Sequence, residues 1–320
     1  MVHARFWQFI YDKLRNSHSV ILLCVVDSLG SSPGRRGFKM AVAEDGIFGS
    51  IGGGIMEHKF VEMAKEKLRS LPVDPVIKKQ IHDKSAPKNQ SGMICSGEQT
   101  IVLFHLTKMH EGITKEIIKT LSAYGDGVIR ITADAISFAA GIKNENDFLF
   151  RMQSEQDWIY KENLGFKNHL YIIGGGHCAL AFSSLMSSMD FFIHLYEDRK
   201  DLNTFELNCY ANEKKLVNDY SEIKSLVPSG HNIYVVIMTF GYRTDDLAVR
   251  TLIDKDFKYF GVLGSQSKME KMFDGWQRDG LPPDRLKKIF APVGLKINSR
   301  TPDEIAISIA AEIISVKNKN

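Results

Sequence analysis

Two glycine-rich segments constrain the fold of this 320-residue chain more than any other feature. The first is Gly49–Gly54, which is followed by an amphipathic run, Ile55–Leu71. The second is Tyr171–Ala179, an apolar strand that continues into Gly-x-Gly-x-x-Ala. Both are typical of a strand, a glycine turn and a helix, a geometry that points backbone N–H groups at an anion, usually a phosphate. The two turns predict a protein that handles a phosphorylated small molecule.

Composition favours a soluble protein of two ordinary domains, because hydrophobic residues make up 44% and charged residues 25% of the chain. No apolar run approaches the roughly 20 residues of a membrane span, and the N-terminus lacks a signal-peptide pattern. A formal charge of +3 without a basic stripe argues against nucleic acid as a partner. Four cysteines without a C-x-x-C pair argue against a thiolate zinc site and indicate reduced thiols in the cytoplasm.

The first half predicts a mixed α/β domain. The continuous apolar run Ser19–Asp27 indicates a strand buried on both faces. Residues 72–92 are rich in Pro, Lys, Asp and Ser and predict a loop excursion. The stretch Arg151–Asn168 is polar and predicts irregular structure, so we place the boundary there, between domains 1–160 and 161–320.

From His169 onward, predicted strands alternate with predicted helices. This rhythm predicts a parallel sheet with helices on both faces, the Rossmann-type arrangement. The last helix has a clear start, where Thr301 at the N-cap, Pro302 and Glu304 form a capping box. The expected fold class is therefore α/β: an N-terminal mixed α/β domain followed by a C-terminal Rossmann-like parallel-sheet domain.

The second glycine turn has the parts of a dinucleotide site. Gly174 permits the tight turn, Gly176 lets a pyrophosphate approach, and Ala179 lets the helix pack on the strand. Glu197, with Asp198 beside it, stands where an acid accepts from a ribose hydroxyl. The alternative is a Rossmann-like domain that has lost its nucleotide or holds another ligand.

No catalytic apparatus is evident in the sequence. His177 lies inside the second turn, where capping the helix or facing solvent is a simpler interpretation than catalysis. No Ser/His/Asp set, acid pair, Tyr-x-x-x-Lys or metal-ligand spacing stands out. The sequence therefore predicts neither a catalytic residue nor a metal site.

Taken together, the segments resemble the XdhC/CoxI family, the accessory factors of xanthine dehydrogenase and related molybdenum hydroxylases. The motifs occur in family order across nearly the whole chain. In the first half they are Gly30-Ser-Ser-Pro, Lys39-Met40, Asp45-Gly46, Gly49-Ser-Ile-Gly-Gly-Gly54 with Glu57, and Gly92-Met-Ile-Cys95 with Gly97-Glu98. In the second half they are Gly174-Gly-Gly-His177, Glu197-Asp-Arg199, Gly261-Val-Leu-Gly-Ser265 with Lys268, Ala291-Pro-Val-Gly-Leu295, and Arg300-Thr-Pro-Asp-Glu-Ile-Ala306 with Ala311-Glu312-Ile313.

The resemblance implies a chaperone rather than an enzyme. Its cargo would be the molybdenum cofactor (molybdopterin), which it would protect during sulfuration and deliver to a xanthine dehydrogenase-type molybdenum hydroxylase. A homodimer, and a cysteine desulfurase as a further partner, are also expected. The expected cofactor contacts are Lys39, Gly52, Gly53, Gly54, Cys95, Gly174, Gly175, Gly176, His177, Glu197, Asp198, Gly241, Gly264 and Ser265.

Two alternatives remain open at this point. An NAD(P)-dependent oxidoreductase would act through the C-terminal domain, and a nucleotide-sensing regulator would bind NAD(P) or another nucleotide without turnover. Arg35, Arg36 and Lys39 form either an anion contact or a solvated basic loop. Cys95 is either a metal or sulfur ligand or a small buried hydrophobe, and Cys24 is expected to be a packing residue.

The chain departs from the family pattern at four positions. Ile55 stands where many members have cysteine, Tyr242 where histidine is common, and Phe290 where histidine or cysteine is frequent. Ser96 replaces a usual glycine. Each change removes a ligand or narrows a pocket, so these positions predict no thiol- or imidazole-assisted chemistry, as expected of a diverged paralogue.

Overall fold

The computed structural model describes residues 2–70, 75–81 and 97–319. The chain divides into two compact units, one spanning Val2–Gly165 and one beginning at Phe166. In the described part of the chain, no helix is long and apolar enough to cross a membrane. The expected α/β class is confirmed, with antiparallel sheets in the first unit and a parallel sheet in the second.

The first unit combines helices with two antiparallel sheets. Its described helices and strands are α1 (Val2–Arg15), β1 (Val20–Gly30), β2 (Lys39–Ala43), β3 (Gly46–Gly49), α2 (Gly54–Arg69), β4 (Val76–Ile81), β5 (Gly97–Leu106), α3 (Glu111–Ser122), β6 (Gly127–Thr132), β7 (Ile136–Ala140), β8 (Phe148–Met152) and β9 (Trp158–Leu164). The strand order is β3-β2-β1-β5-β4 in one sheet and β7-β6-β9-β8 in the other.

Strand β1 is buried on both faces, as predicted, and this position explains its continuous apolar run. Alternate side chains point to opposite faces of a strand. Leu22 and Cys24 therefore join the core that α1 covers, whereas Ile21 and Leu23 join the core that α2 covers. Residues 20–26 have no exposed surface.

Two predictions for the first unit were wrong. Within the expected loop of residues 72–92, β4 pairs with β5 in antiparallel register, and the rest of that stretch, apart from residue 75, lies outside the described residues. The expected irregular stretch Arg151–Asn168 contains β9, which pairs with β6 and β8. Its alternate residues Trp158 and Tyr160 are buried. The stretch looks polar in sequence partly because of Glu162, which is buried and pairs with Lys39.

The second unit is built on one parallel sheet. Its helices and strands are β10 (Asn168–Ile173), α4 (His177–Met186), β11 (Phe191–Glu197), α5 (Asn203–Glu206), β12 (Glu213–Leu216), α6 (Ile223–Leu226), β13 (Gly230–Ile237), α7 (Tyr242–Leu252), β14 (Phe257–Val262), α8 (Gln266–Arg278), α9 (Pro283–Leu286) and α10 (Pro302–Lys317). The strand order is β12-β11-β10-β13-β14, with every neighbouring pair parallel.

Helices cover both faces of this sheet, as the sequence rhythm predicted. On one face, Leu170 and Ile172 pack with α4 and α10. On the other, Tyr171 and Ile173 pack with α7 and α8. The start of α10 is also as predicted, because the Thr301 hydroxyl accepts from the Glu304 N–H at 3.2 Å.

Candidate functional site

The carboxyl edge of the parallel sheet brings the second-unit residues together. The strand order reverses between β10 and β13, and open α/β sheets bind ligands in the crevice at such a switch point. The expected contacts that follow β10, β11, β13 and β14 at this edge are Gly174, Gly175, Gly176, His177, Glu197, Asp198, Gly241, Gly264 and Ser265. Of these, His177 and Ser265 are exposed to solvent.

Gly174 and Gly176 have different structural roles. Gly174 has φ +108°, and a Cβ there would lie 2.4 Å from the Met238 backbone oxygen, so the turn requires glycine. Gly176 has φ −70°, and a Cβ there would meet nothing within 4 Å. Ala179 is fully buried where α4 packs on the sheet. The open space at Gly176 is therefore the part of the turn that a ligand can approach.

Glu197 is fully buried, and both of its carboxylate oxygens are already engaged. One oxygen accepts from the Gly175 N–H at 2.5 Å and from Arg199 Nη2 at 3.0 Å. The other accepts from Arg199 Nε at 2.8 Å and from the N–H groups of Asp198 and Arg199. Burial alone would raise its pKa, but the Arg199 and Gly175 hydrogen bonds hold the pKa of Glu197 at about 2.

The ribose contact expected of Glu197 stays a prediction, because a ribose hydroxyl would have to replace one of these donors. Asp198 beside it is half-buried, and burial together with Glu197 raises the pKa of its carboxyl group. Asp198 is thus the more accessible of the two acids.

An exposed aromatic ring, that of Phe240, lies at this edge and was not among the predicted site residues. Phe240 follows β13 and is 82% exposed. The Arg199 guanidinium lies 5.0 Å from the centre of its ring, within cation–π distance. Arg199 belongs to a motif quoted from the sequence, but no pattern in the sequence marks Phe240.

An ion pair between a buried carboxylate and a partly exposed lysine joins the starts of α7 and α8. Asp245 is fully buried, accepts from the Thr239 N–H at 3.0 Å and pairs with the Lys268 ammonium. Lys268 also donates to the Leu263 backbone oxygen at 3.3 Å. The Ser265 hydroxyl caps α8 by accepting from the Lys268 N–H at 3.2 Å. This network fixes the loops that carry Gly241, Gly264 and Ser265, and no pattern in the sequence marked Asp245.

In the first glycine turn, backbone N–H groups face a carboxylate of the chain itself. Glu57, in the first turn of α2, accepts from Ser50 Oγ at 2.7 Å and from the N–H groups of Ile51 and Gly53 at 2.9 and 3.0 Å. Burial opposes ionisation, but these hydrogen bonds lower the pKa of Glu57. The groups expected to hold a phosphate therefore hold Glu57.

The loop that precedes this turn packs tightly against it. A Cβ on Gly52, whose φ is +127°, would lie 2.4 Å from the backbone nitrogen of Gly34. The buried Gln99 amide accepts from the Gly34 N–H at 3.0 Å and donates to the Ile51 oxygen at 3.3 Å. Gly53 and Gly54 also have positive φ, and Gly54 is exposed. Gly52 is therefore needed for packing, whereas a Cβ on Gly53 would meet nothing within 4 Å.

Lys39 lies in the core rather than on a solvated loop. Its side chain is 6% exposed, and its ammonium pairs with Glu162 at 2.5 Å and donates to the Gly37 oxygen at 2.9 Å. The Tyr160 hydroxyl donates to the same Glu162 carboxylate at 2.9 Å. Arg36 pairs with Asp27. An anion would reach Lys39 only if the buried pair opened, so its role as a cofactor contact stays a prediction.

The three described cysteines lie in different environments, and Cys209 is exposed. Cys24 is fully buried, and burial raises the pKa of its thiol to about 12, so the packing interpretation is confirmed. Cys178 is half-buried against the second-unit core, and burial raises its pKa. Cys95 lies outside the described residues, and so does Ser96. Within the described ranges, no three His, Cys, Asp or Glu side chains are grouped to hold a metal ion.

The other departures from the family pattern have plain structural settings. Ile55 is 54% exposed at the start of α2, and Tyr242 is 52% exposed at the start of α7. Phe290 stacks on Tyr259, with the ring centres 4.6 Å apart. Tyr242 is therefore the departure that lies at the carboxyl edge of the sheet and within reach of a ligand.

Comparison with known protein families gives two matches, one in each unit. The XdhC Rossmann domain matches residues 170–313, and the XdhC and CoxI family matches residues 14–72. Both matches agree with the family resemblance of the motifs.

Three individual proteins are also similar. An Escherichia coli relative, uncharacterized protein YqeB, is 26% identical over 92% of this chain and 43% of its own length. A Bacillus subtilis protein, described as a probable xanthine dehydrogenase subunit, is 33% identical over 26% of this chain and 23% of its own length. The chain thus spans less than half of either curated relative. A crystal structure described as a xanthine dehydrogenase from Bacillus halodurans has the same fold, with a TM-score of 0.70, 20% identity, and coverage of 98% of this chain and 97% of that one.

Proposed function

The chain belongs to the XdhC/CoxI family, and on that premise we propose that it is an accessory factor in the maturation of a xanthine dehydrogenase-type molybdenum hydroxylase. The observation that carries this proposal is that the family matches fall in both units rather than in the Rossmann-like half alone. The name of the Bacillus subtilis relative points to the same class of enzyme.

The cargo in this proposal is the molybdenum cofactor, which the protein binds, protects during sulfuration and delivers. Besides the acids Glu197 and Asp198, the crevice has cations, hydroxyls and an exposed aromatic ring, which suit the phosphate and the pterin of that cofactor. Glu197, with a pKa of about 2, is a poor general base near neutral pH, and Asp245 is held by Lys268. These features favour a binding protein over a catalyst.

The proposed partners follow from the same role. The client is a molybdenum hydroxylase, and a cysteine desulfurase would supply the sulfur that sulfuration requires. A homodimer is proposed from the family resemblance. Cys24, Cys178 and Cys209 are free thiols, which supports a cytoplasmic setting for the proposed role.

The deciding experiment is equilibrium binding of the purified protein to the molybdenum cofactor and to NAD(P)H, side by side under anaerobic reducing conditions. We expect stoichiometric binding of the molybdenum cofactor, followed by activation of an apo-hydroxylase when the loaded protein is added. Cys95→Ser should lower cofactor retention without loss of the fold. Binding of NAD(P)H alone would overturn the delivery role.

A dinucleotide-binding function is the second candidate, and the open space at Gly176 favours it together with the buried Ala179. The Glu197 carboxylate already accepts hydrogen bonds from Arg199 and Gly175, and this argues against a ribose contact there. An oxidoreductase would show turnover with a substrate, whereas a nucleotide-sensing regulator would bind without turnover. Glu197→Ala should weaken a ribose-bearing ligand by about 1–3 kcal/mol if that contact forms.

A further inference from the structure

In both glycine turns, carboxylates of the protein already accept hydrogen bonds from backbone N–H groups. The phosphate of a ligand therefore needs another binding site. Glu57 accepts from the N–H groups of the first glycine turn. Glu197 accepts from the Gly175 N–H of the second turn. Both carboxylates have lowered pKa values and are ionised at neutral pH, so an external anion at either place would meet a like charge.

A cationic cleft lies at the carboxyl edge of the same parallel sheet, beside α8. It has a volume of about 520 Å³ and is lined by three hydroxyl-bearing and three cationic side chains, namely Tyr242, Ser265, Ser267, Lys268, Lys271 and Arg278. No carboxylate-bearing residue of the described chain lines it. Its lining is thus made only of groups that can donate hydrogen bonds to an anion.

The cations follow one face of α8. Lys268, Lys271, Gly275 and Arg278 are spaced by three, four and three residues, which places them in a row on a helix. Gly275 interrupts the row with open space, because a Cβ there would meet nothing within 4 Å. The row is therefore open to solvent at Gly275, between Lys271 and Arg278.

Two of these cations are not neutralised by partners. Lys268 is fixed by Asp245. In contrast, no ion pair within the described part of the chain includes Lys271 or Arg278, although Arg278 Nε donates to the Asp274 backbone oxygen at 3.2 Å. Both are exposed. The cleft thus combines one positioned ammonium with two cations that are available to a ligand.

We propose that this cleft, which we call the α8 cleft, binds the phosphoryl group of a phosphorylated ligand. The inference rests on the proposed function in one respect, since it assigns the phosphate end of the molybdenum cofactor to the α8 cleft rather than to a glycine turn. Its physical basis is independent of the cofactor, because any phosphate ester or pyrophosphate presents the same oxygens to Lys271, Arg278 and the lining hydroxyls.

The test is titration of the full-length protein with inorganic pyrophosphate, for the wild type and for Lys271→Ala/Arg278→Ala. Each lost charge-assisted contact lowers affinity, so we expect the dissociation constant to rise at least about tenfold. Lys119→Ala/Lys215→Ala removes the same charge from two exposed lysines outside the cleft and should change the constant less than about twofold. Equal effects of the two double variants, or no binding by the wild type, would overturn the proposal.

A second pair of variants tests the α8 cleft without removing a cation. Gly275→Glu places a carboxylate between Lys271 and Arg278, whereas Gly275→Ala adds only a methyl group in open space. We expect Gly275→Glu to weaken pyrophosphate binding at least about tenfold and Gly275→Ala to leave it unchanged. If pyrophosphate binding behaves in this way but the wild type does not bind the molybdenum cofactor, the proposed function fails while the α8 cleft stands.

Discussion

At the residue scale, two glutamates have the same physical role. Glu57 and Glu197 each accept from N–H groups of a glycine turn, and each has a lowered pKa. Glycine turns and helix N-termini attract anions of any origin, whether phosphate or a side chain of the same protein. Each turn is therefore stabilised by an internal anion, and a ligand that bound there would compete with it.

The first prediction concerns Glu57. Replacing it by Gln removes the negative charge of the carboxylate, which accepts hydrogen bonds from Ser50 Oγ and from two backbone N–H groups. We expect Glu57→Gln to lower the free energy of unfolding by about 1–3 kcal/mol at neutral pH, measured by denaturant titration. Glu62→Gln, on the exposed face of α2, is the control and should change stability little. Equal effects of the two changes would show that the turn does not depend on the carboxylate.

The second prediction is a pH dependence at Glu197. Its folded-state pKa of about 2 lies below the ordinary 4.5, so the stabilisation is present above pH 4.5 and is lost as the pH falls towards 2. We expect wild type to exceed Glu197→Gln by about 2–3 kcal/mol in the free energy of unfolding at neutral pH.

The measurement is the difference in unfolding free energy between the wild type and Glu197→Gln across this pH range. The difference should shrink as the pH falls from 4.5 towards 2, because the wild-type carboxylate is then protonated. Asp201→Asn, at an exposed acid nearby, should show no such trend. A constant difference at all pH values would contradict the assigned hydrogen bonds.

At the element scale, local patterns predicted those elements whose side chains are satisfied locally. Strand β1 was recognisable because both of its faces are apolar, and the start of α10 because the cap lies within four residues. Strand β9 was not, because the partner of its buried Glu162 is Lys39, which lies 123 residues away in the sequence. In the sequence alone, a buried charged residue cannot be told from an exposed one until its partner is known.

The third prediction tests that ion pair between β2 and β9. Lys39→Met alone leaves the Glu162 carboxylate buried without its cation, and we expect it to cost about 3–5 kcal/mol of unfolding free energy. Adding Glu162→Gln removes the unpaired charge but keeps an oxygen for the Tyr160 hydroxyl, so the double variant should recover most of the loss.

Denaturant titration of the two single variants and the double variant completes the cycle. A double variant no more stable than Lys39→Met would contradict the buried pair. The same double variant also tests the expected cofactor contact, because undiminished ligand binding would make Lys39 a structural residue only.

At the whole-molecule scale, the fold class was predictable because periodicity and chain rhythm are distributed over many residues. The meeting of strand ends such as Gly174 and Glu197 was predictable, since they must lie at one edge of a parallel sheet, whereas their role in binding stays a prediction. Which polar groups already have partners within the protein was not predictable. The contacts of Glu57 with Gly53 and of Lys268 with Asp245 depend on side-chain packing. Sequence motifs thus located the crevice but not the groups that are free within it.

The last prediction asks whether the whole protein uses the second glycine turn for its ligand. Gly176 has φ −70° and open space around its Cβ, so Gly176→Asp should fold with unchanged stability while placing a carboxylate where a ligand approaches. We expect it to abolish binding of the molybdenum cofactor, and Gly176→Ala, which adds no charge, to retain it. Anaerobic equilibrium binding and thermal unfolding of both variants measure these effects. Unchanged cofactor affinity in Gly176→Asp would remove the turn from the binding site, whereas the proposal for the α8 cleft is decided by its own variants.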